Sequence, residues 1–217
     1  MFLRAVATAA LVVSAGMAAP AVGAPAVTCK PATAQVRTPV QYKAPKFTLK
    51  ARTYTMRIVT NCGTVTIAAD AKRAPKTVAA LTFLARNKYF NNTACHRLTT
   101  QGINILQCGD PTATGTGGPG FTYPDENLPT KVTRNRYPAG TVAMANAGPG
   151  TNGSQFFLVY ATGTFDLPPN YTVWGRITSG LPILAHIAAQ GVADGGADGP
   201  PAQAVVVKSI TVSEGTP

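Results

Sequence analysis

A chain of 217 residues, 45% of them hydrophobic, is long enough for one domain with a proper core and too short for two comfortable ones. It is also too apolar to be disordered over most of its length. Its 19 Lys and Arg against 8 Asp and Glu give a formal charge of +11; much of the excess lies at Lys30, Arg37, Lys43, Lys46, Lys50, Arg52 and Arg57, with no aromatic interleaving and no nucleic-acid motif, so it argues for solubility and loose attraction to anionic polymers and against a nucleic-acid partner.

In chain order, Arg4, the apolar residues 5–19 and the small residues after them predict a secretory signal over 1–26, cleaved after Ala24 or Ala26. The apolar stretch is too short and too Ala-rich for a membrane span, and no other segment has the length for one. The mature protein is therefore expected outside the cytoplasm, secreted or in the cell envelope. A lipid anchor on Cys29 competes with this reading, though Thr28 before it is a poor fit to such processing. Residues 27–52 contain Pro31, Pro39 and Pro45 without sustained periodicity and predict a basic arm or linker. The domain is expected over 53–213, with a tail at 214–217.

YTMRIVT (54–60) alternates as a strand and turns through Asn61-Cys62-Gly63 into TVTIA (64–68). Residues 74–87 predict a helix, with Pro75 in the first turn and Val78, Leu81, Leu84 and Ala85 on one face. Short strands follow at 94–98, 104–108, 141–145, 155–160 and 171–177, and the Gly/Thr-rich 109–120 reads as a surface loop. A second helix over 181–190 turns Leu184, Ile187 and Ala188 inward, and AVVVKSITV (204–212) closes the chain as a strand. These elements predict a mainly-β fold: a closed eight-stranded antiparallel barrel capped by two α-helices.

Cys29, Cys62, Cys95 and Cys108 form an even set, without CxxC spacing and with only His96 and His186 as imidazoles, which argues for disulfides and against zinc. Four cysteines permit three pairings, and the sequence alone does not select one. Topology favours Cys95–Cys108 as a link between neighbouring strands, leaving Cys29–Cys62 to tie down the arm; that Cys95 and Cys108 are simply small core residues stays open.

Several chemistries are disfavoured by what is missing. Ser154 lacks the Gly-x-Ser-x-Gly elbow and an evident acid–histidine partner. The adjacent Asp125 and Glu126 would point to opposite faces of a strand. The glycine-rich loop lacks the Gly-Lys-Ser/Thr ending of a phosphate cradle.

MANAGPGTNGSQFF (144–157) has apolar ends around Pro149, Gly148, Gly150 and Gly153, a build that lays exposed backbone beside an apolar floor, as extended-peptide binding requires. It closely resembles the central signature of the cyclophilins, the peptidyl-prolyl isomerases. His96-Arg97-Leu98 with Gln107-Cys108-Gly109-Asp110 resembles the family's pair of strands bearing the catalytic arginine and its glutamine. The resemblance covers about residues 54–213 and implies the cyclophilin fold.

It implies Arg97 as the electrophile at the prolyl nitrogen, Gln107 as its orienting partner and His96 in support. Phe157, Ile105 and Leu167 map to the proline pocket. Ala145, Asn146, Ala147 and Gln155 map to residues that hold the substrate backbone and a neighbouring side chain, Gly115 lies on the rim beyond, and Tyr171 stands where many members carry histidine. The activity implied is rotation of X-Pro bonds, with no cofactor, metal or covalent intermediate; together with the signal this predicts exported polypeptides as clients, and a monomer is expected. A proline-peptide binding module with little turnover is the alternative.

Departures accompany the match. Residues 98–106, between Arg97 and Gln107, number two more than in the common family pattern, so the turn must bulge or lengthen. Asn104 stands at a pocket position that is ordinarily phenylalanine, unless Ile103 turns in instead. The tryptophan associated with cyclosporin binding is missing: Phe165 or Asp166 occupies its neighbourhood, and Trp174 is on another strand. Residues 25–53 have no counterpart in the minimal domain.

Overall fold

The computed structural model describes residues 26–214. Apart from Ala26 and Glu214, the expected signal and tail lie outside them. Strand β1 (Thr53–Thr60) alternates as its sequence demands, with Tyr54, Met56 and Ile58 buried, and pairs along its full length with β2 (Gly63–Asp70). At the turn, Gly63 takes φ +129°, a backbone conformation that favours glycine.

Helix α1 (Pro75–Arg86) buries Val78, Leu81, Leu84 and Ala85. Ala74 at its N-cap offers no side-chain acceptor, and Glu126 supplies one from across the fold. Its carboxylate accepts from the backbone N–H of Lys76 at 3.0 Å and of Thr77 at 2.9 Å, satisfying orphan donors where the helix dipole favours negative charge.

Next come β3 (Thr93–Ala94), β4 (Arg97–Thr99), β5 (Asn104–Cys108), β6 (Thr141–Met144), β7 (Phe156–Ala161), β8 (Val173–Ser179), α2 (Leu181–Ala189), β9 (Asp198–Gly199) and β10 (Val206–Glu214). All pairings are antiparallel, in the order β3-β10-β1-β2-β8-β6-β7-β5-β4-β9.

This corrects the closed eight-stranded barrel. Among the described residues there are ten strands, and their hydrogen-bonded order has two ends. The strand expected at 94–98 is broken at Cys95-His96 into β3 and β4, and the two-residue β9 carries no periodicity to read. Because β3 and β4 are consecutive in the chain yet lie at or next to opposite ends of the order, the sheet must curl round to meet one run of residues.

Alternation along the strands builds two apolar clusters. Val142, Met144, Phe156, Leu158, Leu106 and Trp174 join the main core with α1. Their neighbours Ala143, Phe157, Val159 and Ile105 point the other way and pack with Tyr137 into a second cluster. Disulfides join Cys29 to Cys62 and Cys95 to Cys108.

The expected linker is a strap bound to the domain. Backbone N–H groups of Lys30, Gln35, Arg37 and Tyr42 donate to the carbonyls of Asn61, Asn92, Pro111 and Pro119, and the Tyr42 ring packs edge-on against Phe83 and Tyr89.

Candidate active site

Antiparallel register puts Arg97 opposite Gln107, and Gln107 opposite Phe157 on β7. The turn between β4 and β5 absorbs the longer spacing: Thr99 Oγ1 donates to the Ile103 carbonyl at 2.6 Å, and Gly102 takes φ +73°. The Arg97 side chain is 38% exposed, and its guanidinium donates from Nη1 to Gln107 Oε1 at 3.3 Å. Gln107 Nε2 donates to Gln155 Oε1 at 2.9 Å, and Gln155 Nε2 donates to the carbonyls of Gly115 and Gly117, each at 2.9 Å. One amide relay thus ties Arg97 to the glycine-rich loop. On the other edge of the guanidinium, Nε and Nη2 each donate to Asp198 at 2.7 Å. This hydrogen-bonded pair raises the arginine pKa and lowers that of the Asp198 carboxyl.

The glycine-rich loop is organised by the buried Asp110, which accepts from the N–H groups of Thr112, Gly115 and Gly117 and from the Thr112 hydroxyl. Burial alone would raise this carboxyl, but those donors hold it below its ordinary value. In the signature loop, Asp125 accepts from the Gly150 N–H and from Asn152 Nδ2, each at 2.9 Å. Asn146 Nδ2 donates to the Asn170 carbonyl, the Ala147 N–H to Thr151 Oγ1 and the Ala145 N–H to the Gln155 carbonyl.

Beside Arg97 lies the second apolar cluster. Phe157, Tyr137 and Tyr171 meet edge-on with centroids 5.6–6.1 Å apart, and Ile105, Leu167, Ala145 and Ile103 pack on the same cluster. The Tyr137 hydroxyl accepts from the Tyr171 N–H at 3.0 Å and lies 3.2 Å from the carbonyls of Pro168 and Tyr171, fixing the segment that carries Leu167 and Tyr171. Burial pushes this hydroxyl up to about 12.

Asn104 turns its amide to the Thr162 carbonyl, and Ile103 supplies apolar surface in its place. Phe165 is 61% exposed, and Asp166 is bound to the Arg136 side chain and N–H. The neighbourhood expected for the family's tryptophan thus holds an ion pair, while Trp174 lies in the main core.

His96 is half-buried, and neither ring nitrogen has a partner among the described residues. Burial lowers its pKa, opposed by Asp110 and aided by Arg97. Of the residues expected from the sequence, Arg97, Gln107 and Gln155 are joined by hydrogen bonds that reach Gly115. Ile105, Phe157, Leu167, Tyr171 and Ala145 share the apolar cluster, Asn146 and Ala147 lie in the signature loop, and the His96 ring lies beside Gly115. Asp198 and Tyr137 were missed: Asp198 is 101 residues from Arg97 in the chain, and Tyr137 sits in an aperiodic loop. Among the described residues no group of three or more His, Cys, Asp or Glu is placed to hold a metal, and no helix is long and apolar enough to cross a membrane.

Residues 55–212 match the family model described as cyclophilin type peptidyl-prolyl cis-trans isomerase. The chain belongs to the cyclophilin family. A probable peptidyl-prolyl cis-trans isomerase B of Mycobacterium leprae is 44% identical over 178 residues, covering 77% of this cyclophilin and 60% of that protein. Its namesake in Mycobacterium tuberculosis is 45% identical over 163 residues, covering 70% of this chain and 52% of that one. The chain thus spans between half and two thirds of the length of these relatives. Among solved structures, a cyclophilin-type isomerase of Cryptosporidium parvum superposes with a TM-score of 0.63 at 27% identity, covering 76% of this chain and 99% of that one. A structure of that protein was also determined in the presence of the dipeptide Ala-Pro.

Proposed function

We propose that this cyclophilin catalyses cis–trans rotation about X-Pro bonds, with Arg97 donating a hydrogen bond to the prolyl nitrogen while the ring rests on Ile105, Phe157 and Leu167. The observation that carries the reading is the partly exposed Arg97 side chain, hydrogen-bonded to Gln107, beside an apolar cluster that Tyr137 and Tyr171 wall in. Amide resonance generally makes the rotation barrier about 18–20 kcal/mol. A donor at nitrogen favours the twisted state, in which the lone pair is localised, and each tenfold acceleration needs about 1.4 kcal/mol of such preference. Gln155, with the backbone and side chains of residues 145–147 and the rim at Gly115, would hold the segment before the proline. His96 supports the Gly115 wall as a neutral group.

The Ala-Pro structure of the Cryptosporidium relative supports proline-containing peptides as the substrate class. Two disulfides support work in an oxidising compartment, on exported polypeptides; the signal read over residues 1–26 would direct the chain there. We take the protein to act as a monomer, the Pro-containing strap and the domain forming one unit.

The test is exchange spectroscopy on an X-Pro tetrapeptide. Acceleration of cis–trans exchange at substoichiometric protein supports the isomerase. Saturable binding without acceleration would establish the binding-module alternative, for which Asn104 in place of an aromatic residue is the motive.

A further inference from the structure

The amide relay through Gln107 leaves Arg97 only loosely held. A single 3.3 Å hydrogen bond at Nη1 does not fix the plane of a guanidinium on a long, flexible stem. Asp198 does. Its two oxygens accept from Nε and Nη2 at 2.7 Å each, a fork that sets both the position and the plane of the group.

The carboxylate is itself anchored. Strand β9 pairs with β4, with Asp198 opposite Thr99 and Gly199 opposite Leu98, and the Thr100 N–H donates to the Ala197 carbonyl at 2.9 Å. Behind it, an isolated bridge between Val192 and Pro201 closes the segment that returns from α2.

Of the five guanidinium N–H groups, Asp198 takes two and Gln107 one. Among the described residues, one N–H on Nη1 and one on Nη2 have no acceptor. An exposed ion pair of this kind contributes little to stability, so bidentate geometry at this position needs another reason.

We propose that Asp198 is a positioning residue for the isomerase reaction: it clamps the Nε–Nη2 edge of Arg97 so that the two free N–H groups stay aimed at the prolyl nitrogen. This inference rests on Arg97 being the donor. A pre-set donor requires no reorganisation as the bond twists, so the clamp acts on kcat, while proline binding on the apolar cluster leaves KM nearly unchanged.

The experiment measures kcat and KM on an X-Pro tetrapeptide for the full chain carrying Asp198→Ala, Asp198→Asn, Arg97→Ala and the Arg97→Ala/Asp198→Ala pair, with amide spectra to verify the fold. Asp198→Ala is expected to lower kcat about tenfold with KM within about twofold. Asp198→Asn keeps one acceptor oxygen and preserves the strand, and it should lose distinctly less. The double variant should be no slower than Arg97→Ala, because a clamp has no effect without the group it holds. Unchanged or increased kcat in folded Asp198→Ala or Asp198→Asn overturns the proposal, an increase marking the carboxylate as a brake; an additive loss in the double variant also overturns it. Near-normal turnover by Arg97→Ala would instead remove the underlying assignment, an outcome read from that variant alone.

Discussion

At the scale of single residues, the candidate site contains groups whose part is to hold their neighbours in place. Tyr137 is one of them. Tyr137→Phe removes the acceptor of the Tyr171 N–H and should cost about 1–3 kcal/mol of stability. It should also raise KM several-fold with little change in kcat, since Leu167 and Tyr171 lose their brace; steady-state kinetics and thermal unfolding check both. His96 titrates below its ordinary value of 6.5, from burial first and the charge of Arg97 after the opposing influence of Asp110. Below that pH the unfolded chain binds a proton that the folded chain does not, so stability falls as pH drops through the window beneath 6.5 and is fully present above it. The depressed carboxyls of Asp110 and Asp198 lose their contribution only as pH falls below their ordinary 3.8, which keeps the two effects apart. Folded His96→Asn should therefore show a smaller loss of Tm than the wild type between about pH 7 and about pH 5. Equal losses would contradict the assignment.

Among elements, the run from Thr93 to Thr99 carries most of the consequence. Cys95 donates its N–H to the Val205 carbonyl on the approach to β10 and is bonded through sulfur to Cys108 at the end of β5. One residue thus joins the two halves of the curled sheet beside Arg97 and Gln107. Replacing both Cys95 and Cys108 by Ala, with 13 residues of separation, should cost about 3 kcal/mol. It should also lower turnover under conditions where the protein stays folded; unaltered turnover would show that the strand register needs no link. The segment from Phe165 to Tyr171 gives a further test. Arg136 and Asp166 form an ion pair in the neighbourhood where the resemblance would place the family's tryptophan, so cyclosporin is expected to bind more weakly than to tryptophan-bearing members, as titration calorimetry would reveal. Both helices and most strands were legible because Val78, Leu81 and Leu84 or Tyr54, Met56 and Ile58 announce their periods. The break at Cys95-His96 was not, because two residues leaving a ladder do not alter an apolar pattern.

The molecule as a whole is a curled sheet whose inner face holds α1 and the main core and whose outer face carries the second cluster and the site. The motif at residues 144–157 and the pair Arg97 and Gln107 made that site readable, because strand register converts their spacing into proximity. What stayed hidden came from long-range closure. Asp198 meets Arg97 only when the chain returns after α2. The strap read as an arm or linker because much of its docking is through backbone N–H groups and its anchoring side chains, Cys29, Arg37 and Tyr42, follow no period. Central to the proposed reaction is whether the guanidinium held in this frame drives rotation. The direct measurement is kcat for cis–trans exchange in an X-Pro tetrapeptide, for wild type and for folded Arg97→Ala. A fall of at least about tenfold is predicted, because the hydrogen bond matters most when the nitrogen is twisted. Turnover close to wild type in the folded variant would contradict it.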